Sequence, residues 1–116
     1  MKQNFTIVAI LIWICLIIAG LLEPCWVIAL EKSNKLRNLK WTLVTIVTMF
    51  GSLYLLSLAM NELPVGMSYA IWTGIGAIGT LIGGMILYKE PVTWLRILFI
   101  LLIVVGIVGI QLSGGL

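Results

Sequence analysis

Charged side chains are scarce in this chain: 9% of its 116 residues are charged, whereas 62% are hydrophobic. A soluble domain uses about a quarter of its residues as charged groups to cover its surface, so lipid is the expected solvent for most of this protein. The net charge is +3, but the basic residues form no stripe with interleaved aromatic side chains, which argues against a nucleic-acid-binding surface.

Histidine is absent, and cysteine is limited to Cys15 and Cys25. A helical spacing of ten residues separates the two thiols by about 15 Å, too far for a disulfide, and two thiols without further ligands make a poor metal site. The sequence also lacks the G-x-x-x-x-G-K-[ST] motif, which argues against nucleotide hydrolysis. We therefore predict no enzyme activity, metal or cofactor; any pumping draws on an ion gradient or on another subunit.

Four apolar runs account for nearly the whole chain, and each has about the 20 residues needed to cross a hydrocarbon core about 30 Å thick. They cover approximately residues 5–30, 39–60, 64–88 and 94–113. Helices are the expected form because open strands leave backbone groups unsatisfied in lipid. Short polar breaks make consecutive helices antiparallel neighbours. The sequence predicts an all-α integral membrane protein, with residues 1–116 forming a single four-helix transmembrane domain.

Lysine and arginine are distributed unevenly between the two sides of this predicted bundle. Lys2 stands alone on one side, whereas the first and third loops carry Lys32, Lys35, Arg37, Lys40, Lys89 and Arg96. Positively charged loops remain in the cytoplasm, so the N- and C-termini are predicted to lie outside. Four short helices are thin for enclosing an aqueous cavity, and a dimer is therefore the expected assembly.

Glycine punctuates the third span. Gly76, Gly79 and Gly83 fall near one helix face at steps of three and four residues. Small residues at this spacing let helix backbones approach closely in lipid. The pattern predicts that this face of the third span is a helix-packing surface.

Glu23 is the one acid within an apolar run, in the second half of the first span. Ionised side chains at such positions are costly, and the few that occur usually line a cavity. Loss of water favours the protonated form of a carboxyl group, so this residue is suited to hold either a proton or a cation. A permanently protonated glutamic acid bonded to a neighbouring helix is the structural alternative.

Aromatic and hydroxyl side chains are the candidates for the surroundings of this acid. Trp26 lies three residues after Glu23, on the same helix face, where its ring walls a cation site, donates its N–H to the carboxylate, or simply packs. Pro24 removes an N–H and frees a carbonyl that either helps to bind a cation or marks a kink. The other spans supply Ser52, Tyr69 and Trp72 as further donors.

These residues resemble the small multidrug resistance family over essentially the whole chain. The resemblance is carried by Ala-Gly-Leu-Leu-Glu-x-x-Trp at 19–26 and by Pro-x-Gly-x-x-Tyr-Ala-x-Trp at 64–72. It implies a proton-coupled antiporter of the bacterial inner membrane, working as a dimer of oppositely inserted subunits with paired glutamates. The same resemblance implies that Glu23 is the carboxylate for proton and substrate, with a hydrogen-bonding shell of Trp26, Ser52, Tyr69 and Trp72.

Within that family, Glu-x-x-Trp together with Lys89-Glu90-Pro91 resembles the guanidinium-exporting subtype. Guanidinium suits a carboxylate site because it is flat and its paired donors match the two oxygens. We predict a proton-coupled antiporter exporting guanidinium or small guanidinyl-type cations. The alternatives are a proton-coupled exporter of quaternary ammonium and other multidrug cations, and a non-transporting membrane scaffold or regulatory subunit.

Two features depart from the usual homodimeric pattern of the family. Pro24 stands where an aliphatic residue is common, and the basic residues are distributed six to one where dual-topology members stay near balance. An oppositely inserted partner must carry the opposite bias. The sequence therefore favours one half of a heterodimer, with a homodimer as the alternative.

Overall fold

The computed structural model describes residues 2–113, which form four long helices. These are α1 (Lys2–Lys32), α2 (Leu39–Met60), α3 (Val65–Leu87) and α4 (Trp94–Ser113). All four are long and apolar enough to cross a membrane, which confirms the prediction of an all-α chain with four apolar helices. The sequence predicts that the C-terminus lies outside the cell, but residues 114–116 are not among the described residues.

Helix length matches the membrane in three of the four cases. α2, α3 and α4 contain 22, 23 and 20 residues, or about 30–35 Å at the rise of an α-helix. α1 contains 31 residues and is about 46 Å long, so it must tilt or extend beyond the hydrocarbon core. The helix continues through Pro24.

The first loop turns tightly between α1 and α2. The hydroxyl of the buried Ser33 donates to the carbonyl of Leu30 (2.6 Å) and accepts the N–H of Leu36 (3.1 Å). The side chain of Asn38 then accepts the N–H of Trp41 (3.3 Å) at the start of α2. These side chains satisfy helix-end groups that have no partner within the helix.

α1, α2 and α3 all contact one another, whereas α4 contacts α3 alone. The core lies between α1, α2 and α3. Its buried members are Leu16, Ala19, Leu56, Ala59, Leu63, Met67, Ile71 and Trp72. No residue of α4 is buried, so this helix lies at the edge of the bundle and presents an apolar surface on most of its sides.

Candidate functional site

Glu23 lies on α1 with its carboxyl group directly against Gly76 of α3. A Cβ atom at position 76 would overlap Oε2 of Glu23 and would lie 2.7 Å from the Cβ of Glu23. The missing side chain therefore makes the space that the carboxyl group occupies. Gly76 is itself buried, so the acid is seated on the backbone of the neighbouring helix within the membrane-spanning segment.

The other predicted glycines continue this close approach of α1 and α3. A Cβ at Gly79 would overlap Cγ of Pro24, and one at Gly83 would lie 3.0 Å from Cδ1 of Ile28. Gly20 of α1 makes the reciprocal contact, since a Cβ there would lie 2.8 Å from the side chain of Ile75. The packing of these helices thus depends on glycine from both sides.

A groove of about 480 Å³ opens beside the acid; it is named the Glu23 groove and is lined by Glu23, Trp26, Val27, Thr73, Gly76, Ala77, Thr80 and Leu81. Thr73 and Thr80 are polar lining residues that sequence reasoning missed. Their spacing of seven residues, two helical turns, places them on one face of α3, and this was the available signal. Glu23, Thr73 and Thr80 are thus the polar residues of a groove whose surface is otherwise apolar.

Among the described side chains, residues 6–113, no basic group forms a salt bridge with Glu23, because the pair formed by Arg96 and Glu90 is the only salt bridge there. A carboxylate in a low-dielectric setting without a counter-ion is strongly unfavourable. The arrangement at Glu23 therefore favours a bound proton or an external cation as the charge-balancing group.

Ser52 and Trp72 are joined in a buried chain of hydrogen bonds that reaches α1 beside this acid. The indole N–H of Trp72 donates to Oγ of Ser52 (2.9 Å), and the Ser52 hydroxyl donates to the carbonyl of Ala19 (2.7 Å). Ala19 lies one turn before Glu23. These two side chains do not reach the carboxyl group within this chain; they tie α2 and α3 to the backbone of α1.

Tyr69 and Trp26 differ in their relation to the groove. Tyr69 is 55% exposed and does not line it; its ring contacts that of Trp72, with centroids 5.8 Å apart. Trp26 lines the groove, but its indole N–H is buried and has no hydrogen-bond partner in the described part of the chain. Of the predicted residues, the structure therefore brings Glu23 and Trp26 to one groove and places the other three behind or beside it.

Comparison with known proteins gives the class to which this fold and site belong. The sequence profile of the family described as Small Multidrug Resistance protein matches residues 11–103. The match extends from the first third of α1 into α4 and includes every predicted site residue. The chain belongs to the small multidrug resistance family.

Several relatives of the chain share a more specific name. A protein named guanidinium exporter from Yersinia pseudotuberculosis serotype I (strain IP32953) is 48% identical over 101 residues, covering 87% of this chain and 97% of that protein. The guanidinium exporters of Salmonella typhimurium and Escherichia coli (strain K12) are 48% and 45% identical, each over 87% of this chain and 96% of theirs. With four membrane-length helices, these similarities identify a multi-pass membrane protein and indicate a transporter of small cations rather than an enzyme.

Proposed function

We propose that this chain is one subunit of a proton-coupled antiporter that exports guanidinium or small guanidinyl-type cations. Its family membership and the name shared by its relatives support this class of substrate. The observation that carries the mechanism is the seating of Glu23, which lines an open groove with its carboxyl group against Gly76 and has no basic partner among the described side chains. Residues 1–116 act as one transmembrane domain in this proposal.

In this mechanism the carboxyl group of Glu23 binds either a proton or the substrate cation. The two oxygens of a carboxylate accept the paired N–H donors of a guanidinium group, and protonation removes both the charge and one acceptor. The two ligands therefore exclude each other. Transport follows if the site opens to alternate sides of the membrane in its two loaded states.

The surrounding residues have separate roles in the proposal. Trp26 supplies an aromatic wall and an N–H that has no hydrogen-bond partner in the described part of the chain. Ser52 and Trp72 hold α1 in position through the carbonyl of Ala19. Tyr69 is exposed beside Trp72, where a second subunit would complete the site.

We propose that this second subunit is inserted in the opposite orientation, in the inner membrane of a bacterium. The exposed α4 and the open groove leave the chain with surface for a partner. The six-to-one distribution of Lys and Arg favours a different protein as the partner, with loops one and three of this chain in the cytoplasm. A tag at the C-terminus should then be found outside only; tags on both sides would instead indicate a homodimer.

The decisive test replaces Glu23 by glutamine, which keeps the shape of the side chain and removes its charge. Guanidinium uptake driven by a pH gradient is measured in proteoliposomes, with the assembly that co-purifies with the tagged chain from its own cells. We expect uptake to be lost in Glu23→Gln and kept in Glu62→Gln, which removes an exposed carboxylate from the second loop. Full activity of Glu23→Gln would reject the mechanism.

The same preparation separates the alternative functions. Preferential uptake of tetraalkylammonium ions over guanidinium derivatives would assign the protein to quaternary ammonium and multidrug cations. A non-transporting scaffold would show neither uptake nor proton release when either cation is added to the unmodified assembly.

A further inference from the structure

A second cavity, of about 610 Å³, lies where α1, α3 and the start of α4 meet; it is named the loop-side cavity. It contains two carboxyl groups, Glu31 and Glu90, and one guanidinium group, that of Arg96. Its charged groups therefore sum to one negative charge. Val27, Thr80 and Leu81 line both this cavity and the Glu23 groove, so the two spaces adjoin.

The backbone after α3 places Glu90 in this cavity. The N–H of Tyr88 (3.0 Å) and the N–H of Glu90 (3.3 Å) both donate to the carbonyl of Gly84, and Lys89 between them has a φ of 52°. Lys89 thus makes a left-handed turn at the end of the helix. It folds Glu90 back over the last turn of α3.

Gly84 makes the space for the carboxyl group of Glu90. A Cβ atom at position 84 would overlap Oε1 of Glu90 and would lie 2.9 Å from its Cδ. Glu23 is seated on Gly76 in the same way, eight residues earlier. The two acids therefore lie against the same helix about 12 Å apart along its axis.

Glu90 already binds a guanidinium group, that of Arg96. Only one contact joins them, from Nη1 of Arg96 to Oε1 of Glu90 at 3.3 Å, whereas a guanidinium group in its preferred geometry engages both carboxylate oxygens. The side chains of Arg96 and Glu90 are 34% and 47% exposed. An ion pair this open to solvent is weak, so a free guanidinium ion has access to the same acceptor.

We infer that the loop-side cavity is a binding site for small planar cations of the guanidinium type, in which the cation replaces Arg96 on Glu90 and Glu31 provides the second negative charge. The site lies beside the Glu23 groove and binds the cation first. A cation that leaves Glu90 then passes Thr80 and reaches Glu23. Its role in transport rests on the proposed function. Binding itself does not, because every group of the site belongs to this one chain.

The test observes Arg96 directly. The sequence contains two arginines, Arg37 and Arg96, so the side-chain Nε–H region of an NMR spectrum contains two arginine signals. The full chain carrying Glu23→Gln is placed in lipid nanodiscs and titrated with guanidinium chloride, with sodium chloride at equal concentration as the reference. We expect a saturable shift of the Arg96 signal and no such shift of Arg37. Equal responses of both arginines, or none at Arg96, would overturn the inference.

Substitutions then assign the acceptor. Glu90→Gln in the same background should abolish the saturable shift of Arg96, whereas Glu62→Gln on the opposite loop should leave it intact. In Arg96→Gln, followed through the backbone N–H of Glu90, guanidinium should bind about two- to five-fold more tightly, which corresponds to removal of an exposed ion pair. Unchanged or weaker binding in Arg96→Gln would show that the cation does not exchange with Arg96.

These outcomes are independent of the test for transport. Saturable binding at Glu90 together with normal uptake by Glu23→Gln would support the binding site in the loop-side cavity and reject the antiport mechanism. If guanidinium did not bind at Glu90 and uptake was lost in Glu23→Gln, the binding site would be rejected and the antiport mechanism supported.

Discussion

Replacing Gly76 by alanine introduces one methyl group at the point where α1 and α3 are closest to the acid. The new Cβ would lie 2.7 Å from the Cβ of Glu23 and would overlap the carboxyl oxygen. Rotation of the Glu23 side chain relieves the second contact but not the first, because a Cβ atom moves only with its backbone. The perturbation therefore acts on the spacing of the two helices.

The size of the effect follows from this contact. Carbon atoms in contact settle at about 3.5–4.0 Å, so α1 and α3 must separate by about 1 Å near Gly76. Overpacking of this kind costs about 1–3 kcal/mol of stability. A displacement of about 1 Å in a reacting group lowers its rate up to about 100-fold, and we expect cation uptake to fall about 10- to 100-fold.

The measurement pairs pH-driven guanidinium uptake in proteoliposomes with thermal unfolding in detergent. Gly51→Ala is the matched control, since it adds the same methyl group to a membrane-spanning helix. Its nearest neighbour would be Cδ1 of Leu22 at 3.8 Å, an ordinary van der Waals distance, so uptake and stability should be retained. If Gly76→Ala behaved like Gly51→Ala, the inference that Gly76 seats the carboxyl group would be refuted.

Three further predictions concern other contacts. Ser52→Ala should lower the stability by about 1–3 kcal/mol because the buried N–H of Trp72 loses its acceptor. In thermal unfolding, the double variant with Trp72→Phe should recover part of this loss, whereas simple addition of the two effects would contradict the coupling. Gly79→Ala should destabilise the chain through the ring of Pro24, and Pro24→Ala should restore its melting temperature, whereas no rescue would show that another contact is limiting. Lys89→Gly should be about 1 kcal/mol more stable than Lys89→Ala because φ is 52° there; equal melting temperatures would argue against the left-handed turn.

The fold was predictable because the composition of each segment determines its main features. A run of about 20 apolar residues must be helical in lipid, whatever surrounds it. The polar breaks that begin at Glu31 and Asn61 predict the ends of the first two helices, and in the structure α1 ends at Lys32 and α2 at Met60. The family was predictable for a related reason, since the Glu-x-x-Trp and Pro-x-Gly-x-x-Tyr-Ala-x-Trp patterns are contiguous stretches of sequence.

The sequence predicted the residues of the candidate site better than it predicted the contacts between them. Trp26 was singled out from its spacing to Glu23, and the structure places both in one groove. Thr80 was missed because its spacing from Thr73 places both on one face of α3 but does not say which helix that face lies against. The orientation of the chain and the identity of its second subunit stay predictions.

The sequence by itself determined that this is a four-helix membrane protein with one acid inside an apolar run and a glycine-rich third helix. Only the tertiary structure decided that Gly76 seats Glu23, that Trp72 donates to Ser52, and that Ser52 donates to the carbonyl of Ala19 rather than to the carboxyl group. The physical reason lies in the range of the interactions. Burial in lipid depends on the composition of each segment alone, whereas a contact between helices depends on their rotation and separation, which the packing of all side chains sets together.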